Sequence, residues 1–254
     1  MRLAFMSSVC PKMSLPELLQ AAQGHGYAGL EIRPEWKQAH GIELEAGAAA
    51  RAEARKIIRD SGLEPCALSP GNRYAGVARA EYEEHLEALK SWAQLAADTG
   101  IPLIRVFGDP MPTVGPDRQT AYALAGEFLA QAAVIASRSG VTLCLETHGN
   151  LRGADAGEML ARAGYPPALM INWHLSHCLR HGETVDEAYR HVKGRVRHVH
   201  FSVEEKEIPH LLRQMELLEG EGYGGFFSVE VINPEKPEEV LRRHADWWRI
   251  RREE

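Results

Sequence analysis

The amino-acid sequence predicts an α/β fold, a single (β/α)8 TIM barrel, and three observations support this prediction. Short apolar runs alternate with longer amphipathic stretches along all 254 residues. Strict β–α alternation implies parallel strands joined by right-handed crossovers. Eight such units can be identified, and eight units in about 250 residues is the size of a closed barrel. A doubly wound open sheet is the alternative that the same alternation allows.

Glycines mark the points at which helices give way to strands. Three helical patterns end in Ser or Thr followed by Gly, at 61–62, 99–100 and 139–140. Such a Gly takes the left-handed conformation that ends a helix, and the apolar run after it predicts a buried strand. The strands are predicted near 2–7, 27–33, 64–69, 102–107, 141–147, 168–174, 196–202 and 226–231. The helices are predicted near 14–24, 46–61, 79–98, 117–138, 153–163, 182–192, 207–219 and 236–251.

Two glycine-rich segments, 24–29 and 220–225, match the dinucleotide-binding pattern G-x-G-x-x-G. That pattern must follow a strand and open a helix, so that a pyrophosphate meets the N-terminus of the helix. In this sequence a helix precedes each segment and a strand follows it. The sequence therefore argues against a nucleotide site.

Composition indicates an ordinary soluble protein, which we expect to be cytoplasmic and to form one domain over residues 1–254. The net charge of −6 argues against a general affinity for nucleic acid. No signal-peptide core and no apolar run of ~18 residues is present, so no membrane segment is expected. Four widely spaced cysteines without a CxxC pair favour reduced thiols. No surface pattern decides between a monomer and a homo-oligomer. The cysteines are Cys10, Cys66, Cys144 and Cys178.

Polar residues at the ends of the predicted strands are the candidates for chemistry, since active sites of such barrels lie at the C-terminal ends of the strands. Glu146 and Glu230 are the strongest signals, because burying an unpaired carboxylate in an apolar strand is costly. A structural ion pair could explain one of them, but several strands end alike. The polar residues at strand ends are Ser7, Glu31, Arg33, Ser69, Arg105, Glu146, His148, His174, His200 and Glu230.

Imidazoles accompany these carboxylates. Spacing of three residues can bring His174 and His177 to one side of a turn, and spacing of two puts His198 and His200 on one face of a strand. Either pair alone is a weak signal, since a histidine that lines a barrel is often only a hydrogen-bonded core residue. Together with two carboxylates at strand ends, they predict a metal site of two Glu and two His.

Several segments, in this order and spacing, resemble the xylose isomerase-like barrels, a superfamily of sugar isomerases and epimerases. The resemblance covers the whole chain and is greatest to the ketose 3-epimerase, hydroxypyruvate isomerase and inosose dehydratase branches. It implies an enzyme of carbohydrate metabolism that acts on a small sugar or polyhydroxy carbonyl compound. The matching segments are 26–32, 104–108, 145–149, 197–201 and 227–230.

The resemblance implies a divalent metal held by Glu146, His174, His200 and Glu230. The family usually has Asp where this chain has His174, and that change favours Mn, Zn, Co or Fe over Mg. It could equally mean that metal binding is weakened or lost. With the metal as Lewis acid, Glu146 and Glu230 would exchange a substrate proton through an enediolate, giving isomerisation or epimerisation.

Five further residues are predicted to bind the substrate: Glu31, Arg105, His148, His177 and Lys206. His177 matches the substrate-binding His of the family, whereas Lys206 stands where several members have Arg. Glu31 could orient a remote hydroxyl, or it could instead pair with Arg33 or Arg105.

Three other functions are compatible with a barrel of this kind. An apurinic-site endonuclease needs extra histidines from the third and fourth strands, where this chain has Ser69, Arg105 and Phe107. We therefore expect no nucleic-acid partner. A metal-free or inactive sugar-binding barrel is the alternative raised by His174. A dehydratase is the third, because an enediolate with a leaving hydroxyl can eliminate water instead of being reprotonated.

Overall fold

The protein forms a closed barrel of eight parallel strands, which confirms the predicted (β/α)8 TIM barrel and excludes the open sheet. A computed structural model describes residues 1–253, with side chains described through residue 251. Consecutive strands are neighbours around the barrel, and β1 pairs with β8 to close it. The strands are β1 Arg2–Met6, β2 Gly29–Ile32, β3 Glu64–Leu68, β4 Leu103–Phe107, β5 Thr142–Glu146, β6 Leu169–Asn172, β7 Val196–Phe201 and β8 Phe226–Val229.

Helices lie between the strands, and eight of them correspond to the predicted ones. One short helix, α6, was not predicted; it begins directly after His174 at the end of β6. The helices are α1 Leu15–His25, α2 Ala48–Ser61, α3 Arg79–Thr99, α4 Pro116–Arg138, α5 Gly153–Arg162, α6 Leu175–Arg180, α7 Val185–Val192, α8 Ile208–Gly220 and α9 Pro237–Glu253.

Local sequence explains where these helices begin and end. Gly62 and Gly100 follow α2 and α3 with φ of 74° and 77°, the left-handed conformation predicted for them. At the start of α7, the Thr184 hydroxyl accepts a hydrogen bond from the Glu187 amide, and the Glu187 carboxylate accepts from the Thr184 amide. This reciprocal capping box satisfies two amides that would otherwise lack partners.

The hydrophobic core lies between the outer face of the strands and the helices. Leu3 and Phe5 of β1 belong to it, and so do Trp92 of α3 and Trp248 of α9. Trp248 packs 5.5 Å from the ring of Phe227, as expected for a final helix whose tryptophans face inward. Trp248 thus anchors α9 to the core.

The interior of the barrel carries polar side chains as well as two small apolar clusters, around Cys66 and Cys144. Glu31, Arg105, Glu146, His198 and His200 are each at most 1% exposed. All five lie on the inner face of strands or at the C-terminal ends of strands, where parallel strands converge. The fold thereby collects at one end of the barrel the charged residues that the sequence scatters over 170 positions.

Two further properties bear on the class of protein. All four cysteines are buried and form no disulfide. Across residues 1–253, none of the helices combines the length and the apolarity needed to cross a membrane.

Candidate functional site

Glu146, His174, His200 and Glu230 form a compact cluster at the C-terminal mouth of the barrel. Each side chain offers one ligand atom, and these atoms all lie within 4.8 Å of one another. Nδ1 of His174 lies 3.0 Å from Oε1 of Glu146 and 3.2 Å from Oε2 of Glu230. Nδ1 of His200 lies 2.9 Å and 3.3 Å from the same two oxygens. Strands β5, β6, β7 and β8 thus contribute one residue each to a common centre.

Hydrogen bonds of the backbone hold two of these residues, His174 and Glu230, in position. The amide of His174 donates to the Thr147 hydroxyl at 2.9 Å, and that hydroxyl donates to the His174 carbonyl at 3.2 Å. The amide of Glu230 donates to the Phe201 carbonyl at 3.0 Å, which extends the pairing of β8 with β7 by one residue. His174 and Glu230 therefore lie just beyond their strands, but hydrogen bonds of their backbone hold them in fixed positions.

Glu31 supports the cluster from below. Its carboxylate is fully buried and lies 2.9 Å from Nε2 of His198 and 2.9 Å from Nε2 of His200, while the Ser69 hydroxyl donates to it. Because Nε2 of His200 is occupied by Glu31, its Nδ1 faces the Glu146 and Glu230 carboxylates. A carboxylate behind a histidine in this way fixes the tautomer and the direction of the ring, as in many metal centres.

The site therefore corrects one interpretation of Glu31, which does not pair with Arg33 or Arg105. Its oxygens are taken up by two imidazoles and one hydroxyl. Direct contact with substrate would require one of these hydrogen bonds to break. The geometry favours a role in positioning His200.

The charges in the cluster shift each other's pKa strongly. Burial raises the pKa of Glu146 and Glu230, but His200 and His174, joined at Glu146 by Arg105, together outweigh it and hold both pKa values well below their usual range. Burial would lower the pKa of His200, but Glu31, Glu230 and Glu146 together raise it well above its ordinary value. The pKa of His174 is raised for the same reason, against its burial. The carboxylates thus stay ionised. Their negative charge favours either protonation of His174 and His200 or the binding of a cation.

Arg105 flanks the cluster instead of projecting into open space. Its Nε lies 3.3 Å from Oε2 of Glu146, and its two amino groups donate to the carbonyls of Pro70 and Ser69 at 3.2 Å and 3.4 Å. Its guanidinium also stacks 3.7 Å from the centre of the Phe107 ring. Arg105 therefore forms an ion pair with Glu146, although its Nε makes no hydrogen bond within the described residues.

A second group of side chains forms the rim of the site. The His177 ring packs 4.4 Å from that of His174 and 4.5 Å from that of His148. Nδ1 of His148 lies 3.0 Å from Oδ1 of Asp109, in the loop after β4. Burial, followed by His174 and His148, lowers the pKa of His177 to about 3, so a neutral imidazole faces the cluster. His148 and His177 are thus brought to the place where a substrate would lie over the four central residues.

Lys206 is the predicted residue that the structure does not bring to the cluster. It lies in a short 3-10 turn, Glu205–Glu207, after β7, and its side chain is exposed. In the described part of the chain, no hydrogen bond or ion pair joins it to the four central residues. Its role in substrate binding stays a prediction.

Two residues at the site were not predicted from the sequence. Asp109 orients His148, and Asn172 lies fully buried inside the barrel, where neither atom of its side-chain amide is hydrogen-bonded to the described residues. Asn172 pairs with His198 in the sheet register. Its position at the end of β6, two residues before His174, was the available signal. A polar residue at the end of an apolar strand, such as Asn172, indicates the site in the same way as Glu146 and Glu230 do.

The four central residues fit a divalent cation. Two imidazole nitrogens and two carboxylates make a donor set for Zn²⁺, Mn²⁺, Fe²⁺ or Co²⁺, in which imidazole suits Zn and Fe and carboxylate suits Mn. Oε2 of Glu146 is buried and accepts no hydrogen bond from the described residues. A dication with neutral imidazoles would also carry the same charge as the two protons that the imidazoles otherwise attract.

Comparison with known proteins agrees with the fold and with the resemblance seen in the sequence. The profile of the family described as xylose isomerase-like TIM barrel matches residues 19–251. A 3-dehydroshikimate dehydratase of Neurospora crassa is 31% identical over 112 residues, which cover 39% of this chain and 31% of that protein. The chain thus spans about a third of the length of this curated relative.

Two solved structures share the architecture over nearly the whole chain. A D-psicose 3-epimerase, determined in the presence of D-fructose, is 16% identical with a TM-score of 0.80, covering 98% of this chain and 99% of that chain. The probable 3-DHS dehydratase AsbF of Bacillus anthracis is 17% identical with a TM-score of 0.75, covering 98% and 99%. At these identities the likeness establishes the fold alone.

Proposed function

The chain belongs to the xylose isomerase-like TIM barrel family, and we propose on this basis that it is a metal-dependent isomerase or epimerase of a small sugar or polyhydroxy carbonyl compound. One observation carries the proposal: the ligand atoms of Glu146, His174, His200 and Glu230 converge within 4.8 Å of one another. The name of the D-psicose 3-epimerase, a structural neighbour, supports the same class of reaction.

A divalent cation held by these four residues would supply a Lewis acid next to the substrate carbonyl. The chain itself supplies the proton transfer. Glu230 side-chain atoms are 14% exposed, whereas those of Glu146 are fully buried. Glu230 is therefore the carboxylate that an incoming substrate meets first, and it would take the proton next to the carbonyl. Glu146, reached once the substrate is in place, would take a proton from the neighbouring substrate hydroxyl and deliver it to the other face of the enediolate, and the proton held by Glu230 would return to the hydroxyl oxygen.

Other residues keep these two carboxylates in the right state. Arg105 beside Glu146 and His200 beside both carboxylates hold their pKa values well below the usual range, so each is ionised and ready to accept a proton. His148 and His177 would position hydroxyl groups, since the His177 ring packs against the rings of both His148 and His174. Glu31 would act through His200 by fixing the direction of its ring.

Solvent exchange of a substrate proton tests this mechanism. A panel of ketoses and hydroxy-carbonyl acids would be incubated with the protein and Mn²⁺ in deuterated water, and loss of the C–H signal next to the carbonyl followed by NMR. We expect exchange with at least one compound and its loss in Glu230→Gln. Glu239→Gln, which changes an exposed carboxylate of α9, is the matched control and should exchange like the wild type. Exchange at the wild-type rate in Glu230→Gln would contradict the mechanism.

Dehydration is the second candidate, and it is favoured by the identity of the curated relative, a 3-dehydroshikimate dehydratase. Both reactions begin with removal of a proton next to a carbonyl, and they differ in whether the enediolate is reprotonated or expels a hydroxyl. Mass spectrometry distinguishes them, because elimination lowers the product mass by one water. A new ultraviolet absorption from the conjugated double bond would accompany it.

A further inference from the structure

Arg33 carries a buried positive charge that no neighbouring carboxylate neutralises. The residue follows β2 directly and is only 8% exposed. Its Nη1 donates to the Ser69 carbonyl at 2.8 Å, and its Nε is buried without a hydrogen-bond partner. Among the side chains that the structure describes, no carboxylate oxygen lies within 4.0 Å of its guanidinium. Burying an unpaired charge is costly, so a counter-ion is expected at this place.

A second guanidinium makes the position of Arg33 still less favourable. Arg105 donates to the same Ser69 carbonyl, at 3.4 Å. The charge of Arg105 is matched by Glu146, whose Oε2 lies 3.3 Å from it. Burial and the nearby Arg105 lower the pKa of Arg33 to about 10 although Glu230, Glu35 and Glu146 raise it from beyond ion-pair distance, and Arg33 stays charged at neutral pH. Arg33 is therefore the cation of this pair that lacks a partner.

The backbone of Arg33 is held in place as a binding residue requires. Its amide donates to the Ser7 hydroxyl at 2.9 Å, and its carbonyl lies 3.1 Å from a ring nitrogen of His40. The Ser7 hydroxyl in turn donates to Oε1 of Gln38 at 2.7 Å. The Trp36 ring covers the guanidinium at 4.3 Å. This network fixes the direction of Arg33 before any ligand arrives.

An open cavity lies beside this network. It has a volume of about 700 Å³ and lies between the loops that follow β1, β2 and β8, with Trp36 and Gln38 in its wall. Nε2 of Gln38 is buried without a hydrogen-bond partner, like Nε of Arg33. The volume suits a small ligand. Gln38 lines the cavity and Arg33 packs against the Trp36 ring of its wall, so two donors without acceptors lie in or next to this wall, which indicates an oxyanion.

We propose that Arg33 binds a carboxylate of the substrate, so that the cleft takes a hydroxy-carbonyl acid and not a neutral sugar. This inference rests on the proposed function, because it names the substrate class of the same site. A guanidinium matches the planar pair of carboxylate oxygens, and Gln38 lies where it can add a donor. The substrate carbonyl and its neighbouring hydroxyl would then extend towards the four central residues.

Calorimetric titration tests the proposal with matched acids and neutral analogues. The probes are D-gluconate against D-glucitol and 3,4-dihydroxybenzoate against 3,4-dihydroxybenzyl alcohol, added to the full chain after incubation with Mn²⁺. D-glucitol 6-phosphate serves as the phosphate probe. We expect an acid of at least one pair to bind at least about tenfold more tightly than its neutral partner, from one charged hydrogen-bonded contact.

Three variants assign this preference to Arg33. Arg33→Gln should abolish it, and Arg33→Lys should retain part of it, since Lys keeps the charge but not the planar fork. Arg73→Gln is the matched control: Arg73 lies at the same mouth, but its charge is already paired with Asp109 at 3.4 Å. Acids should bind Arg73→Gln within about threefold of the wild type.

Four results would overturn the proposal: equal affinity for acid and neutral partner in both pairs, absence of binding by either acid, an acid preference that survives in Arg33→Gln, or a preference for the phosphate probe over both carboxylates. Thermal unfolding separates a binding role from a structural one, because loss of a structural residue would lower the unfolding temperature. Arg33→Gln should unfold at no lower temperature than the wild type, because it removes an unpaired buried charge, and a marked fall would contradict the proposal. Since binding is measured as heat without turnover, these results bear on Arg33 independently of the exchange experiment.

Discussion

Glu31 offers the sharpest test of how the site is built, through the substitution Glu31→Gln. The carboxylate is fully buried and accepts hydrogen bonds from Ser69, His198 and His200. Gln keeps the shape but replaces one oxygen by an NH2 group, which would face an imidazole N–H as donor to donor. The side chain would also lose the negative charge that helps to raise the pKa of His200.

The expected magnitude follows from these contacts. Removing one partner of a buried, hydrogen-bonded charge pair costs roughly 3–5 kcal/mol of the free energy of unfolding. For a chain of this size that corresponds to a fall in Tm of about 10 °C. Loss of the group that orients a metal-binding histidine lowers metal affinity by about 10- to 100-fold. Both effects should appear in the same variant.

Circular dichroism melting and titration with Mn²⁺ or Zn²⁺ would measure the two effects. The control is Glu64→Gln, at the start of β3, where the carboxylate is 60% exposed and pairs with Arg2. An exposed pair contributes at most about 1 kcal/mol, so this variant should melt and bind metal almost as the wild type does. A Glu31→Gln protein with unchanged Tm and unchanged metal affinity would refute the positioning role.

Three further predictions concern the scaffold. Burial lowers the pKa of His244 from 6.5 to about 4, so its neutral form stabilises the fold fully above pH 6.5 and less as the pH falls towards 4, by up to about 3 kcal/mol. Other buried histidines also lose stability over this pH range, so the fall in the free energy of unfolding, measured with urea, should be smaller in His244→Gln than in the wild type by about this amount. An equal fall in both proteins would contradict the prediction. Gly126→Ala places a methyl group 2.4 Å from Cβ of Arg162, which should lower the free energy of unfolding by about 1–3 kcal/mol in the same assay; an unchanged value would mean that α4 and α5 can move apart. Glu183 accepts hydrogen bonds from the first two amides of α5 at 2.6 Å and 2.9 Å. Glu183→Gln should therefore lower the free energy of unfolding by about 1 kcal/mol, measured by thermal melting. An unchanged value would show that water can replace the carboxylate.

The sequence predicted the strands and most helices because their signals are local. Apolar runs bounded by glycine located all eight strands to within about three residues at each end, as at β5, predicted near 141–147 and observed at Thr142–Glu146. The short helix α6 was missed because its six residues, Leu175–Arg180, are too few to show a helical period. Its position matters, since it places His177 beside His174.

The candidate site was predictable in its members but not in its connections. Glu146 and Glu230 stood out because a carboxylate has no structural use at the end of an apolar strand. The contact of Glu31 with His198 joins residues 167 positions apart, and no spacing rule reveals such a pair. The isolation of Arg33 was equally hidden, because a missing partner can be recognised only when all neighbours are known.

Metal content tests the central claim most directly. Elemental analysis would be made on protein purified without chelators or metal-affinity resin, beside His174→Ala and the control His210→Ala, which removes an exposed imidazole of α8. The account predicts near-stoichiometric Mn, Zn, Co or Fe in the wild type and in His210→Ala, and its loss in His174→Ala. A wild-type protein that holds no metal, even after incubation with these ions and desalting, would contradict the metal centre and favour a metal-free sugar-binding barrel.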